Sequence, residues 1–137
     1  MNRHGVLQFL QLIATLMVVG IVGCGDNKLT SVTVSPAVAD AKDFPVGQVQ
    51  FTATGTFVVS SKPVPLKNIH WCIGSTDGVC NGFIMSAASI DGNGRAQCTP
   101  PLVGTVTVLA GSGIVGKLLP DQGYKLRVFG SAQLTCP

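Results

Sequence analysis

The chain has 137 residues, 46% of them hydrophobic and only 11% charged, with a formal net charge of +3. At about 100–200 residues per domain this is one domain or less; the hydrophobic excess excludes a disordered chain, and the scattered Lys and Arg exclude a basic nucleic-acid arm. All six acids are Asp (Asp26, Asp40, Asp43, Asp77, Asp91 and Asp121) and Glu is absent, which leaves little for general acid–base chemistry.

Residues 1–23 open with Arg3 and continue as an apolar run over 6–22, broken only by Gln8, Gln11, Thr15 and Gly20. A membrane span needs about 20 mostly apolar residues. The shorter run fits the h-region of a cleaved signal peptide rather than an uncleaved anchor.

That segment ends Ile21-Val22-Gly23-Cys24. The tetrapeptide resembles the lipobox of bacterial lipoproteins: an aliphatic residue, a tolerated residue, Gly or Ala, then Cys. The resemblance implies cleavage before Cys24, diacylglycerol on its thiol and an acyl chain on its new amino group. Several chains are needed because each buried CH₂ contributes about 0.8 kcal/mol and a single chain binds only reversibly. Residues 24–28 then form a short polar tether. Gly25 follows Cys24, where Asp is absent; by resemblance to lipoproteins of diderm bacteria this favours the outer membrane.

The mature chain reads as short strands. Residues 29–35 carry a Val-x-Val alternation that stops at Pro36, and 38–43 form a short edge piece. Phe44-Pro45-Val46-Gly47 is a turn. Residues 49–57 alternate apolar and polar at period two, with Val49, Phe51, Ala53 and Phe57 inward and Gly55 at a bulge. Lys62-Pro63-Val64-Pro65 is expected to break regular structure, because proline cannot donate to a ladder. Residues 69–72 form the next strand and 86–90 lead into another. Asp91-Gly92-Asn93-Gly94 is a hairpin turn, 95–98 returns from it, and 104–110 is the clearest central strand. The last strand runs over 124–135. No mature segment has a helical stripe. About seven Thr- and Val-rich strands between Gly/Pro turns predict an all-β antiparallel sandwich over residues 29–137.

The order of these motifs resembles the bacterial Ig-like domains, group 2 in particular. Leu29-Thr30-Ser31-Val32-Thr33-Val34-Ser35-Pro36 is similar to that family's opening strand. Gly47 with Phe51-Thr52-Ala53-Thr54-Gly55-Thr56-Phe57 is similar to its second. Ile69-His70-Trp71, Ala88-Ser89-Ile90 before Gly92, and Gly104-Thr105-Val106-Thr107-Val108 match later ones. The resemblance implies an Ig-like sandwich and a non-catalytic surface module. It selects no ligand, because fold alone does not.

Five cysteines are odd for an exported chain. If Cys24 carries lipid, Cys72, Cys80, Cys98 and Cys136 remain, and four allow three pairings. The preferred pairing is Cys72–Cys80, closing a loop with Gly74 and Gly78, and Cys98–Cys136, tying a mid-chain strand to the last. A metal site at His70, Cys72 and Cys80 is disfavoured. His70 is the sole histidine after the signal, and the spacing lacks the paired cysteines of zinc modules.

Other candidates have plainer readings. Trp71, Phe51, Val106 and Val108 are assigned to the core, with His70 on the outward side of its strand. Asp91-Gly92-Asn93-Gly94-Arg95 lacks the acids of a calcium loop. Gly111-Ser112-Gly113 and Gly74-Ser75 lack the nucleophile elbow of a hydrolase and read as turns. Phe83, Ile84, Ile114, Leu118 and Leu119 are apolar residues in predicted loops, where they are expected to close the ends of the sandwich; the alternative is that, exposed together, they form a patch for a protein partner or membrane face. The expectation is a non-enzymatic envelope lipoprotein without cofactor or nucleic-acid partner, docking on an envelope protein or glycan. The alternative is a structural spacer with no discrete ligand.

Overall fold

The structure is a computed structural model that describes residues 27–80, 87–101, 103–117 and 123–137. The predicted signal segment and Cys24 lie outside the described residues. No helix among those described is long and apolar enough to cross a membrane.

The first strand, β1 (Leu29–Ser35), shows why the alternation matters: Val32 and Val34 are buried while Ser31, Thr33 and Ser35 face water. At the cis Ser35–Pro36 bond the chain leaves β1, and β2 (Val38–Asp40) joins a different sheet. The turn Ala41–Asp43 follows, and its Lys42 N–H donates to the Asp40 carboxylate at 3.1 Å. β3 (Gln48–Gln50) and β4 (Thr52–Phe57) are one extended run interrupted at Phe51. Val49, Phe51 and Ala53 are buried as the period of two predicts. The remaining strands are β5 (Ser60–Pro65), β6 (His70–Gly74), β7 (Val79–Cys80), β8 (Ala88–Ile90), β9 (Arg95–Cys98), β10 (Gly104–Lys117) and β11 (Tyr124–Cys136).

These strands form a sandwich of two layers. One layer holds β6, β10, β11 and β2, with β2 parallel to β11 and the other pairs antiparallel. The other holds β1-β4-β5 and β3-β9-β8, joined through Phe51. Between the layers lie Val32, Val34, Val49, Phe51, Ala53, Ala88 and Ala96 from one side and Val108, Ala110, Ala132 and Leu134 from the other.

A second apolar cluster sits on the opposite face of β10. It contains Leu109, Leu126 and Cys80, flanked by Cys72, Tyr124 and Phe129. Topology explains it. β7 pairs with β6 at Gly74↔Cys80 and with β11 at Tyr124↔Cys80, while β10 pairs with both β6 and β11. The strands β10, β6, β7 and β11 therefore close on themselves, and the hairpin curls back over the outer face of β6. Gly111 allows the close approach: a Cβ there would lie 2.5 Å from the Val128 carbonyl oxygen and 2.9 Å from Phe129 Cβ.

Three expectations change. The described residues carry eleven strand segments instead of about seven, because the long run splits at Phe51 and short pieces pair at the margins. Lys62-Pro63-Val64-Pro65, expected to break regular structure, lies in β5 (Ser60–Pro65); this is an outer strand with β4 on one side only, where proline is tolerated. Gly111-Ser112-Gly113, expected to be a turn, lies inside β10, where β11 supplies the ladder from Gly111↔Phe129 to Ile114↔Leu126.

Candidate functional site: a cleft at Trp71

The cleft arises from a gap in the β3–β4 layer. β5 accompanies β4 only as far as Thr54↔Pro65, and β9 accompanies β3 only as far as Gln50↔Arg95. Between them single contacts hold the run: the Leu66 N–H donates to the Ala53 oxygen at 2.9 Å, and the Phe51 N–H donates to the Gly94 oxygen at 2.8 Å. The side chain of Gln50 bridges the gap. Its amide nitrogen donates to the Phe51 oxygen at 2.9 Å and to the Asn93 oxygen at 2.8 Å. This side-chain amide does what a neighbouring strand does elsewhere in the layer.

Through this gap the other layer is reached. The cleft has a volume of about 460 Å³, within the range of about 300–1,000 Å³ typical of small-molecule sites. Trp71, half-buried and packed against the core, lines it with Phe51, Pro65, Leu66 and Ile69. Polar groups come from Gln50, Thr52, Lys67, Asn68 and Asn93, and Lys67 is the only charged side chain among the lining residues. Asn68 adopts a φ of 56°, a left-handed conformation for which Asn is among the favoured residues.

The turn beside the cleft is held from within. The Asp91 carboxylate accepts the N–H groups of Asn93 and Arg95, both at 2.9 Å. The amide of Arg95, the larger effect, and that of Asn93 hold the Asp91 pKa below its ordinary value. Gly94 closes the turn at φ 80°. A Cβ at Gly94 would lie 2.6 Å from the Phe51 oxygen and 2.8 Å from Trp71 Cζ2, so glycine is what lets the indole sit there.

The four cysteines of the described residues form Cys72–Cys80 and Cys98–Cys136, the preferred pairing. Phe51 and Val108 are fully buried. Trp71 and Val106 are only half-buried and pack at the core's margin; for Trp71 the cause is the gap between β5 and β9. Ile114 lies in β10, not in a loop, and is 48% exposed. Cys24, Phe83, Ile84, Leu118 and Leu119 fall outside the described residues. His70 is exposed, as its alternation with Trp71 predicts, and meets Tyr124 edge-to-face at 6.1 Å between ring centres. Asp77 bonds Ser75 in the loop closed by Cys72–Cys80, and this hydroxyl lowers its pKa. No group of three or more His, Cys, Asp or Glu capable of holding a metal occurs among the described residues.

A second concavity of about 320 Å³ lies between the turns at Ala41–Gly47 and Cys98, Pro100 and Pro137. Phe44 and Gln97 line it with Lys42, and it is smaller than the cleft at Trp71. Sequence inspection misses Gln50, Asn68 and Asn93, because the gap that gathers them depends on strand register. The polar Lys67-Asn68 between Leu66 and Ile69 is the one local signal. No protein-family model and no curated protein sequence matches this chain.

Proposed function

We propose that this chain is a lipid-anchored protein of the bacterial cell envelope whose single sandwich, similar to group 2 bacterial Ig-like domains, serves as a non-catalytic binding module. The observation that carries the reading is the cysteine account. The chain has five cysteines, and those at 72, 80, 98 and 136 are joined in two disulfides. Structural disulfides belong to oxidising compartments, which fits export. The remaining Cys24 stands at the end of the apolar leader, where lipid attachment requires it. The half-buried Trp71 in a cleft also lined by Gln50, Asn68 and Asn93 supports binding over a spacer role, since such a combination of an apolar wall and a few polar groups is how ligand sites are built.

Metabolic labelling with a clickable fatty acid tests the anchor. The wild-type chain takes up label and fractionates with membranes, and Cys24→Ala loses both. Label retained by Cys24→Ala, or absent from the wild type, removes the lipoprotein reading.

A further inference from the structure

We infer that the cleft at Trp71 takes a short neutral oligosaccharide. The inference rests on the reading of the domain as a binding module, and not on the anchor. A pyranose presents an apolar C–H face and a rim of hydroxyls. The cleft is lined by Trp71 and an aliphatic wall together with Gln50, Asn68, Asn93 and Thr52; the Thr52 hydroxyl also donates to the Ser35 oxygen at 3.4 Å. The Asn68 and Asn93 carboxamides can both donate and accept, as a ring of hydroxyls requires; Gln50, whose two N–H groups are spent on the Phe51 and Asn93 carbonyls, offers its oxygen as an acceptor, and an aromatic body with polar neighbours suits a ligand that is apolar on one side only.

The charge pattern narrows the class further. Lys67 is the single cation and no carboxylate lines the cleft. A phosphate or polyanionic ligand calls for clustered or bidentate cations, and an amine calls for an acid. A purely apolar ligand has no use for the Asn68 and Asn93 amides, whose desolvation without partners is costly. The cleft is also pre-formed. Gln50 is tied at two carbonyls, the 91–94 turn is locked by Asp91, and Gly94 fixes the indole, so little ordering is required on binding.

Trp71 is the chain's only tryptophan, so its emission reports on the cleft alone. The full chain, in a detergent without sugar headgroups, is titrated with maltotetraose, cellotetraose and chitotetraose, and with polygalacturonate as the acidic control. A saturable change with at least one neutral tetramer is expected. Asn68→Gly keeps the left-handed backbone while removing the amide, and Gln50→Ala removes the bridge; at least one of them weakens binding by about fivefold to tenfold, the value of one such hydrogen bond.

No change at millimolar neutral sugar with the fold intact overturns the inference. So does binding untouched by both variants, or binding to polygalacturonate alone that vanishes with salt. A photocrosslinker at Lys67 that captures one envelope protein, with no sugar bound, overturns the saccharide while leaving the binding reading standing. Loss of the anchor in the labelling experiment moves neither result.

Discussion

At the scale of single residues, the turn from Asp91 to Gly94 joins fold to site. The Asp91 carboxylate holds two amides of the turn, and Gly94 takes a left-handed φ against Trp71. Gly94→Ala adds both a conformational penalty and a clash with backbone oxygen, so a loss of about 2 kcal/mol or more is expected in urea unfolding, with a shift of Trp71 emission in the folded state. Asp91 sets a pH dependence as well. Its folded pKa is depressed, so its contribution is fully present above about pH 4 and is lost as pH falls through the folded value. Asp77 and Asp40 shift in the same direction, through Ser75 and Lys42 respectively. Melting temperature therefore falls below about pH 4, and Asp91→Asn, which keeps an acceptor oxygen, makes that fall shallower. An unchanged slope places the acid sensitivity elsewhere.

At the scale of elements, the two disulfides do different work. Cys98–Cys136 spans 38 residues and ties β9 to the end of the last strand, while Cys72–Cys80 spans 8 and lies in the outer cluster with Leu109 and Leu126. Loop-closure entropy assigns about 4 kcal/mol to the longer and about 2.5 kcal/mol to the shorter. Paired Cys→Ala replacements, compared by urea unfolding, are expected in that order; a larger loss at 72/80 shows that packing in the outer cluster outweighs chain entropy. Element legibility followed the same division between local and non-local causes. The inward set Val49, Phe51 and Ala53 was readable because alternation is local. The strand at Ser60–Pro65 was not, since proline excludes a central position and the sequence does not say which strand is outermost. The extension of β10 through Gly111 and Gly113 was hidden for a related reason: those glycines signal a turn locally, and only the facing Tyr124–Phe129 segment makes them strand. The sandwich architecture predicts a core position for the tryptophan of a central strand, yet the register of two other strands leaves Trp71 half-buried at the cleft.

At the scale of the whole molecule, the proposed anchor fixes an orientation. The Lys28 carbonyl accepts the Val58 N–H at 3.0 Å, so the start of the domain is tied to the β4–β5 turn. About four residues separate Cys24 from that point, a reach of about 14 Å at roughly 3.4 Å each. The turn itself carries Val58 and Val59, 65% and 71% exposed, two adjacent valines of the kind that a headgroup boundary accommodates better than bulk water does. The opposite end is defined by the base of the long hairpin. Gly130 lies against β1 at Val32, whereas Gly104 pairs with Cys136 at the far end of β11, next to the exposed Val103. An environment-sensitive fluorophore at Val59→Cys is therefore expected to shift to the blue in vesicles and to be quenched by a lipid-borne nitroxide. The same probe at Val103→Cys stays aqueous, and Cys24→Ala abolishes the contrast. Equal quenching at both positions means that the domain lies flat or tumbles on its tether, and the β4–β5 turn then has no special relation to the membrane.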